Sequence, residues 1–211
     1  MCGIAGFISS NKNYNSRKIV SKMLECIKHR GPDQKDVAVY DDVTLGMVRL
    51  SIIDTENHSI PYMNRDETHA IVYNGEIYNH NDIRKSLDSS YRFQTKSDAE
   101  SALAGYISNG FKSFSKHNGM YVFAIYDKLK RETVIVRDKV GEKSLYYIKG
   151  KDYFAFASEI KALLTIKDPV FNDHAVSYMA YEFTVGKETL FKDIYQLEPG
   201  EYITVNDREM S

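Results

Sequence analysis

Strand-forming runs of β-branched and aromatic residues recur along almost the whole chain, and they constrain its fold more than any other feature. Runs of this kind, bounded by turn residues, are typical of antiparallel sheets. We predict strands at 3–9, 36–40, 43–49, 69–73, 120–127, 133–138, 145–157 and 201–205. Fewer segments have helical periodicity: 16–29, 79–87, 95–110, 158–165 and 173–181. The pattern predicts one α+β domain over residues 1–211, with helices covering the sheet faces.

Two local signals refine these boundaries. In the helix at 95–110, Ser97 is the predicted N-cap, Glu100 would complete a capping box, and Gly110 would end the helix. Residues 149–152 interrupt the strand run at 145–157 and predict a hairpin turn. The pair Asn74-Gly75 likewise predicts a turn directly after the strand at 69–73.

Composition excludes several classes of protein. With 43% hydrophobic residues the chain can bury a substantial core, and its net charge of −1 favours neither nucleic acid nor an anionic membrane as a partner. Two cysteines cannot form a disulfide framework, and the histidines show no metal-ligand spacing, so we expect no metal site. The apolar N-terminal stretch is too short for a signal peptide. We therefore expect a cytoplasmic protein that does not associate with a membrane.

Cys2 directly follows the initiator methionine. Aminopeptidases remove Met1 when the next residue is small, and Cys2 would then carry a free α-amine beside its own thiol. An α-amine titrates near ~7.7–8.0 and can accept the thiol proton at neutral pH. This pairs a nucleophile with a base in one residue. The alternative is that Cys2, like most cysteines at this position, has no catalytic role.

The segment around Asn74 and Gly75 has a functional interpretation beside the structural one. An amide side chain and a glycine N–H that point to one spot would supply the two donors of an oxyanion hole. Glu76, beside them, is then placed to meet a substrate ammonium group. The structural alternative is a hairpin turn and nothing more.

Arg49 and Asp98 complete the set of candidate residues. Arg49 follows a strand and is either a surface ion-pair residue or a bidentate clamp for a carboxylate. Asp98 begins a helix and is either a favourable charge at the helix N-terminus or a partner for an α-amino group. One arginine, two acids, an amide donor and a thiol together describe a site for an amino acid with a scissile side-chain carbonyl.

Nine motifs occur in an order that resembles a known family. They are MCGIAGF, HRGPD, RLSIID, YNGEIYNH, TKSDAE, FAIYD, RDKVGEKSLYY, ASEIKALL and LFKDIYQLEPGEYI. The chain closely resembles the class II glutamine amidotransferase (glutaminase) domain of glutamine-hydrolysing asparagine synthetases. Because the motifs cover essentially the whole chain, the resemblance is far more specific than any one of them.

The resemblance implies an Ntn-hydrolase fold, a four-layer αββα sandwich with two antiparallel sheets. It implies that Cys2 attacks the side-chain amide of L-glutamine, with the oxyanion held by Asn74 and Gly75. Arg49 would bind the substrate carboxylate. The implied remainder of the glutamine pocket is Leu50, Ile52, Ile53, Glu76 and Asp98, of which the two acids would bind the α-ammonium group.

The resemblance also implies what lies outside these residues. We expect no cofactor in this domain, because Mg-ATP would bind only in a synthetase domain that this chain lacks. That domain, in cis or in trans, would receive the ammonia. Whether the protein forms a homodimer is left open. Two alternatives stay open: the same domain serving an acceptor other than aspartate, and a catalytically silent module that binds glutamine or acts as a scaffold.

Overall fold

The computed structural model describes residues 1–51, 60–173, 178, 179, 182, 184 and 186–206. Within them, the strands form two antiparallel sheets. The first sheet, sheet A, has the order β10 (Tyr195–Gln196), β8 (Tyr146–Lys149), β9 (Phe154–Ala157), β1 (Gly3–Ile8), β3 (Val43–Arg49) and β2 (Gln34–Tyr40). The second, sheet B, has the order β11 (Tyr202–Asn206), β7 (Glu132–Arg137), β6 (Gly119–Asp127), β5 (His69–Ile77) and β4 (Tyr62–Met63).

Helices cover the outer face of each sheet. They are α1 (Ser16–Cys26), α2 (His80–Leu87), α3 (Asp98–Asn109) and α4 (Ile160–Leu163), with 3-10 turns at Lys28–Arg30 and Gly110–Lys116. Helices α1 and α4 pack on sheet A, whereas α2 and α3 pack on sheet B. The described residues therefore form the four αββα layers, and the α+β expectation is confirmed.

Alternation along the central strands explains this layering. In β1, Ile4 and Ile8 face the other sheet, while Ala5 and Phe7 face α1. Successive side chains of a strand point to opposite faces, so a strand buried on both faces is apolar throughout. All six residues of β1 are buried accordingly. The layer between the sheets forms one core cluster, and each sheet–helix layer forms another.

The structure corrects several details predicted from the sequence. The turn predicted at Asn74-Gly75 is wrong, because β5 continues to Ile77 and pairs Gly75 with Tyr121 of β6. The helix at 16–29 ends at Cys26 and gives way to a 3-10 turn. The hairpin at 149–152 is confirmed, since β8 and β9 pair around it.

Three further expectations have different outcomes. The Ser97 N-cap is confirmed, because its side chain accepts a hydrogen bond from the amide of Ala99. The Glu100 capping box is wrong, since that carboxylate binds Gln94 and Thr95 instead. Most of the helix expected at 173–181 lies outside the described residues. None of the described helices is long and apolar enough to cross a membrane.

Candidate active site

One cavity brings the candidate residues together. It has a volume of about 140 Å³ and lies where the start of β1, the end of β3, the second half of β5 and the start of α3 meet. All seven described candidates line it: Cys2, Arg49, Leu50, Asn74, Gly75, Glu76 and Asp98. The other two, Ile52 and Ile53, lie outside the described residues.

The thiol of Cys2 is held by the backbone of Leu50. Its Sγ lies 3.6 Å from the carbonyl oxygen of Leu50 and 3.4 Å from the Leu50 amide nitrogen, which donates to it. Burial raises the pKa of the Cys2 thiol, against the opposing effects of the Leu50 hydrogen bond, the terminal ammonium and Arg49. The protonated thiol is therefore favoured, and a nucleophilic Cys2 needs a base that takes its proton.

Asn74 presents an unsatisfied hydrogen-bond donor to the cavity. The residue is 1% exposed, and its Nδ2 has no hydrogen-bond partner among the described residues. A buried donor left without a partner costs roughly 1–3 kcal/mol. An acceptor atom of a ligand in the cavity would remove that cost, which makes Asn74 the strongest structural indication of a binding function.

Gly75 must be a glycine because β5 and β6 approach closely here. A Cβ at this position would lie 2.2 Å from the carbonyl oxygen of Met120. On the facing strand, a Cβ at Gly119 would lie 2.1 Å from the carbonyl oxygen of Glu76. The two glycines thus let the strands run together beside the cavity without displacing Asn74 or Glu76.

Asp98 is a buried acid that three donors hold in place. The Tyr73 hydroxyl donates to Oδ2 at 2.6 Å and the Ile77 amide donates to the same oxygen at 2.9 Å. The Ala99 amide donates to Oδ1 at 3.1 Å. A carboxylate has about four acceptor positions. Asp98 therefore keeps capacity for a ligand cation, and the half-buried carboxylate of Glu76 lines the same cavity.

The HRGPD segment fixes the ends of β1 and β3. Arg30 donates from Nε to the carbonyl oxygen of Cys2 at 2.9 Å and from Nη1 to Glu159 at 2.8 Å. Gly31 packs on the end of β3, where a Cβ would lie 2.4 Å from the Arg49 nitrogen. His29 also contacts Glu159, at 2.9 Å. Through these contacts His29 and Arg30 fix the turn after α1 against Cys2 and Glu159.

Sequence reasoning missed the part that Glu100 takes in shaping the cavity. This fully buried carboxylate accepts hydrogen bonds from the amides of Gln94 and Thr95 at 2.8 and 2.7 Å. It also accepts one from the Tyr62 hydroxyl at 2.8 Å. Tyr62 and Thr95 both line the cavity, so Glu100 fixes a wall that it does not itself form. The i to i+3 spacing from Ser97 matched a capping box and concealed this function.

Comparison with known proteins identifies the class that this fold and cavity define. The chain matches the glutamine amidotransferase domain family over residues 1–211, and it belongs to that family.

Individual curated proteins give a more specific comparison than the family does. The chain is 35% identical over 211 residues to asparagine synthetase [glutamine-hydrolyzing] 1 of Bacillus subtilis, covering 97% of this chain and 33% of that protein. It is 36% identical over 182 residues to asparagine synthetase B [glutamine-hydrolyzing] of Escherichia coli, covering 85% and 33%. It is also 32% identical to amidase chyE of Penicillium rubens, covering 99% and 33%. The chain thus spans about a third of the length of these relatives.

Solved structures show the same fold. Glutamine phosphoribosylpyrophosphate amidotransferase from B. subtilis, complexed with ADP and GMP, superimposes with a TM-score of 0.68 at 21% identity. The match covers 98% of this chain and 48% of that one. The Ntn-type fold expected from the motifs is therefore confirmed.

Proposed function

We propose that this chain is the glutaminase part of an asparagine synthetase and hydrolyses glutamine to glutamate and ammonia. The observation that carries the proposal is the convergence of the Cys2 thiol and the unpartnered Asn74 amide on one cavity. A nucleophile and an oxyanion donor in one buried site are what acyl transfer requires.

The first half of the reaction makes a thioester. With Met1 removed, the α-amine of Cys2 takes the thiol proton, and the sulfur attacks the side-chain carbonyl carbon of glutamine. Asn74 Nδ2 and the Gly75 N–H stabilise the oxyanion as it forms. The protonated amine then gives its proton to the departing nitrogen, and ammonia leaves as the carbon–nitrogen bond breaks.

The second half regenerates the nucleophile. The same amine takes a proton from water, which attacks the γ-glutamyl thioester and releases glutamate, and the proton returns to the sulfur. One glutamine and one water are thus converted to one glutamate and one ammonia. No step needs a metal or a cofactor.

Selectivity for glutamine comes from the charges around the cavity. Arg49 would bind the α-carboxylate through its planar guanidinium, while Glu76 and Asp98 would bind the α-ammonium group. Leu50 lines the pocket, and Ile52 and Ile53 are proposed to do so. Opposite charges at the two ends of the α-centre fix its orientation, which directs the side-chain amide toward Cys2.

The proposal for the acceptor of the ammonia rests on the names of the relatives. Those names include glutamine-hydrolysing asparagine synthetases from Bacillus subtilis, Escherichia coli and Arabidopsis thaliana. We therefore propose a cytoplasmic protein whose ammonia reaches an aspartate-amidating synthetase domain that uses Mg-ATP. An acceptor other than aspartate is the alternative.

The two free cysteines allow a matched test of the proposed chemistry. Ammonia release from glutamine is measured for protein with Cys2 at its N-terminus, for Cys2→Ala and for Cys26→Ala. Activity that is lost only in Cys2→Ala supports the proposal. Equal ammonia release by Cys2→Ala and the unmodified protein would refute it.

A further inference from the structure

Lys143 is a buried lysine in the cavity wall without an acidic partner. It is 8% exposed, and among the described residues the side-chain contact of its ammonium group is with Met1 rather than with a carboxylate. Its Nζ lies 3.4 Å from the sulfur of Met1, which is at most a weak acceptor. Lysine is almost never this buried unless it is paired. The arrangement is costly for the fold and points to a function in the site.

The backbone of the loop after β7 directs Lys143 to this place. The Lys143 amide donates to Oδ2 of Asp138 at 3.0 Å, and Arg137 Nε donates to the Lys143 carbonyl oxygen at 2.6 Å. Asp138 is itself fully buried and also accepts from the Val140 and Glu142 amides. These hydrogen bonds fix the backbone at Lys143, and its side chain extends from there to the sulfur of Met1.

We propose that Lys143 is a positioning residue for the nucleophile, because its ammonium group keeps the α-amine of Cys2 unprotonated once Met1 has been removed. The proposal rests on the function proposed above and extends it. Met1 places its sulfur against Lys143 and its carbonyl on Cys2. Because the Met1 side chain contacts Lys143 and its carbonyl carbon is bonded to the Cys2 nitrogen, Lys143 is the cation on the side of the terminus from which Met1 is removed.

Two physical effects act in the same direction. A neighbouring cation disfavours a second positive charge on the amine. In addition, an ammonium N–H can donate to the amine only while the nitrogen lone pair is free, and hydrogen bonding to the neutral form favours that form. A neutral amine is the form that accepts the thiol proton.

Other charged groups face the same terminus from the surrounding elements. Arg30 reaches it from the turn after α1, and Arg49 from the end of β3. The acids Glu76 and Asp98 face it from β5 and α3. Arg30 is paired with Glu159, and Asp98 accepts from Tyr73 and Ile77. Lys143 adds an ammonium group on the side of Met1.

The pH profile of kcat/KM tests this proposal. Its ascending limb reports the essential base of the free enzyme. In protein with Cys2 at the N-terminus, Lys143→Met should move that limb to higher pH by about one unit. At pH values below the limb, kcat/KM should therefore be about tenfold lower than in the unmodified protein, and at high pH the two values should be equal. Lys143→Arg should keep the limb in place, as should the exposed control Lys151→Met.

Several results would overturn the proposal for Lys143. An unmoved limb in folded Lys143→Met overturns the proposal, and so does a loss of equal size at every pH. If Lys143→Met does not fold, Lys143→Gln takes its place. If neither folds while Lys143→Arg does, the charge serves the fold rather than the amine, and the proposal is again overturned.

A second readout separates this proposal from the glutaminase proposal. The rate at which iodoacetamide alkylates Cys2 without glutamine should also shift to higher pH in Lys143→Met, since loss of a cation disfavours the thiolate. A shifted alkylation profile without glutamine hydrolysis would refute the glutaminase proposal alone. Cys2-dependent hydrolysis with both profiles unmoved would refute the Lys143 proposal alone.

Discussion

The hydroxyl of Tyr73 donates a 2.6 Å hydrogen bond to the carboxylate of Asp98, so a residue of β5 fixes the acid that begins α3. Both side chains are buried. Burial, followed by the charge of Asp98, raises the pKa of Tyr73 well above its usual range, so the phenol stays a donor throughout the neutral range. The position of Asp98 in the cavity therefore depends on the second sheet.

Replacing Tyr73 with phenylalanine tests this dependence. The ring can keep its stacking on Phe123, while the buried carboxylate loses one donor. A hydrogen bond to a charged group contributes about 1.5–3 kcal/mol, and we expect a fall of that order in the free energy of unfolding, measured in urea. The exposed control Tyr78→Phe should show no change. Equal stability of Tyr73→Phe and the unmodified protein would contradict this account of Asp98.

Substitutions that remove the charges of Asp98 and Glu76 should have a similar effect on glutamine binding but different effects on fold stability. Asp98→Asn and Glu76→Gln should each raise KM for glutamine more than they lower kcat, because under the proposed function each would bind the substrate ammonium group before and during the reaction. Only Asp98→Asn should also destabilise the fold, since Asp98 accepts three hydrogen bonds. Steady-state kinetics and urea denaturation measure the two effects. An equal loss in kcat and kcat/KM with KM unmoved would argue against ammonium binding.

Removing the amide of Asn74 should affect the chemical step instead. Under the proposed mechanism, Asn74→Ala deletes a donor that would bind most strongly to the oxyanion as it forms. Loss of one such donor typically lowers kcat by about 10²–10³-fold. We expect a loss of this size with KM changed little, measured under saturating glutamine. A rise in KM without a fall in kcat would instead assign Asn74 to ground-state binding.

His117 should make the stability of the fold depend on pH. It is 1% exposed among Phe114, Tyr121 and Phe123, and neither ring nitrogen has a partner among the described residues. Burial, with a smaller effect of Lys139, lowers the pKa of His117 to about 4. Below the usual histidine pKa of about 6.5 the unfolded chain binds a proton that the folded chain does not. Stability should therefore fall as the pH falls through that window.

Replacing His117 with leucine removes this proton linkage. Between about pH 7 and pH 5 the unmodified protein should lose about 2 kcal/mol more unfolding free energy than His117→Leu does. Urea denaturation of both proteins at both pH values measures the difference. Identical losses would mean that His117 is protonated in the folded protein as readily as in the unfolded chain.

The strand and helix pattern predicted an α+β domain with helices on the sheet faces, because burial on both faces leaves a strong local signal, whereas the four layers were implied by the family resemblance. β1 is apolar throughout, and the alternation of Ile4, Ala5, Phe7 and Ile8 between two cores follows directly from strand geometry. Most candidate residues that meet at the cavity were found by their chemistry, and Leu50 by the family resemblance, although nothing local places the end of β3 beside the start of α3.

The failures have a common physical cause. Asn74-Gly75 reads as a turn, yet tertiary pairing with β6 extends the strand through it, because Gly119 on the facing strand leaves room. Glu100 and Lys143 each contact a residue distant in sequence: Glu100 contacts Tyr62, and Lys143 contacts Met1. Sequence spacing carries no information about such contacts. Only the folded structure shows that Glu100 and Lys143 are buried and which groups surround them.

The central claim is that the thiol and the liberated α-amine of Cys2 act as one nucleophile. The most direct test measures glutamine hydrolysis by one preparation before and after proteolytic removal of an N-terminal leader, with intact mass confirming that Cys2 has become the first residue. The account predicts no hydrolysis with the leader attached and Cys2-dependent hydrolysis after its removal. Equal hydrolysis before and after removal would contradict it.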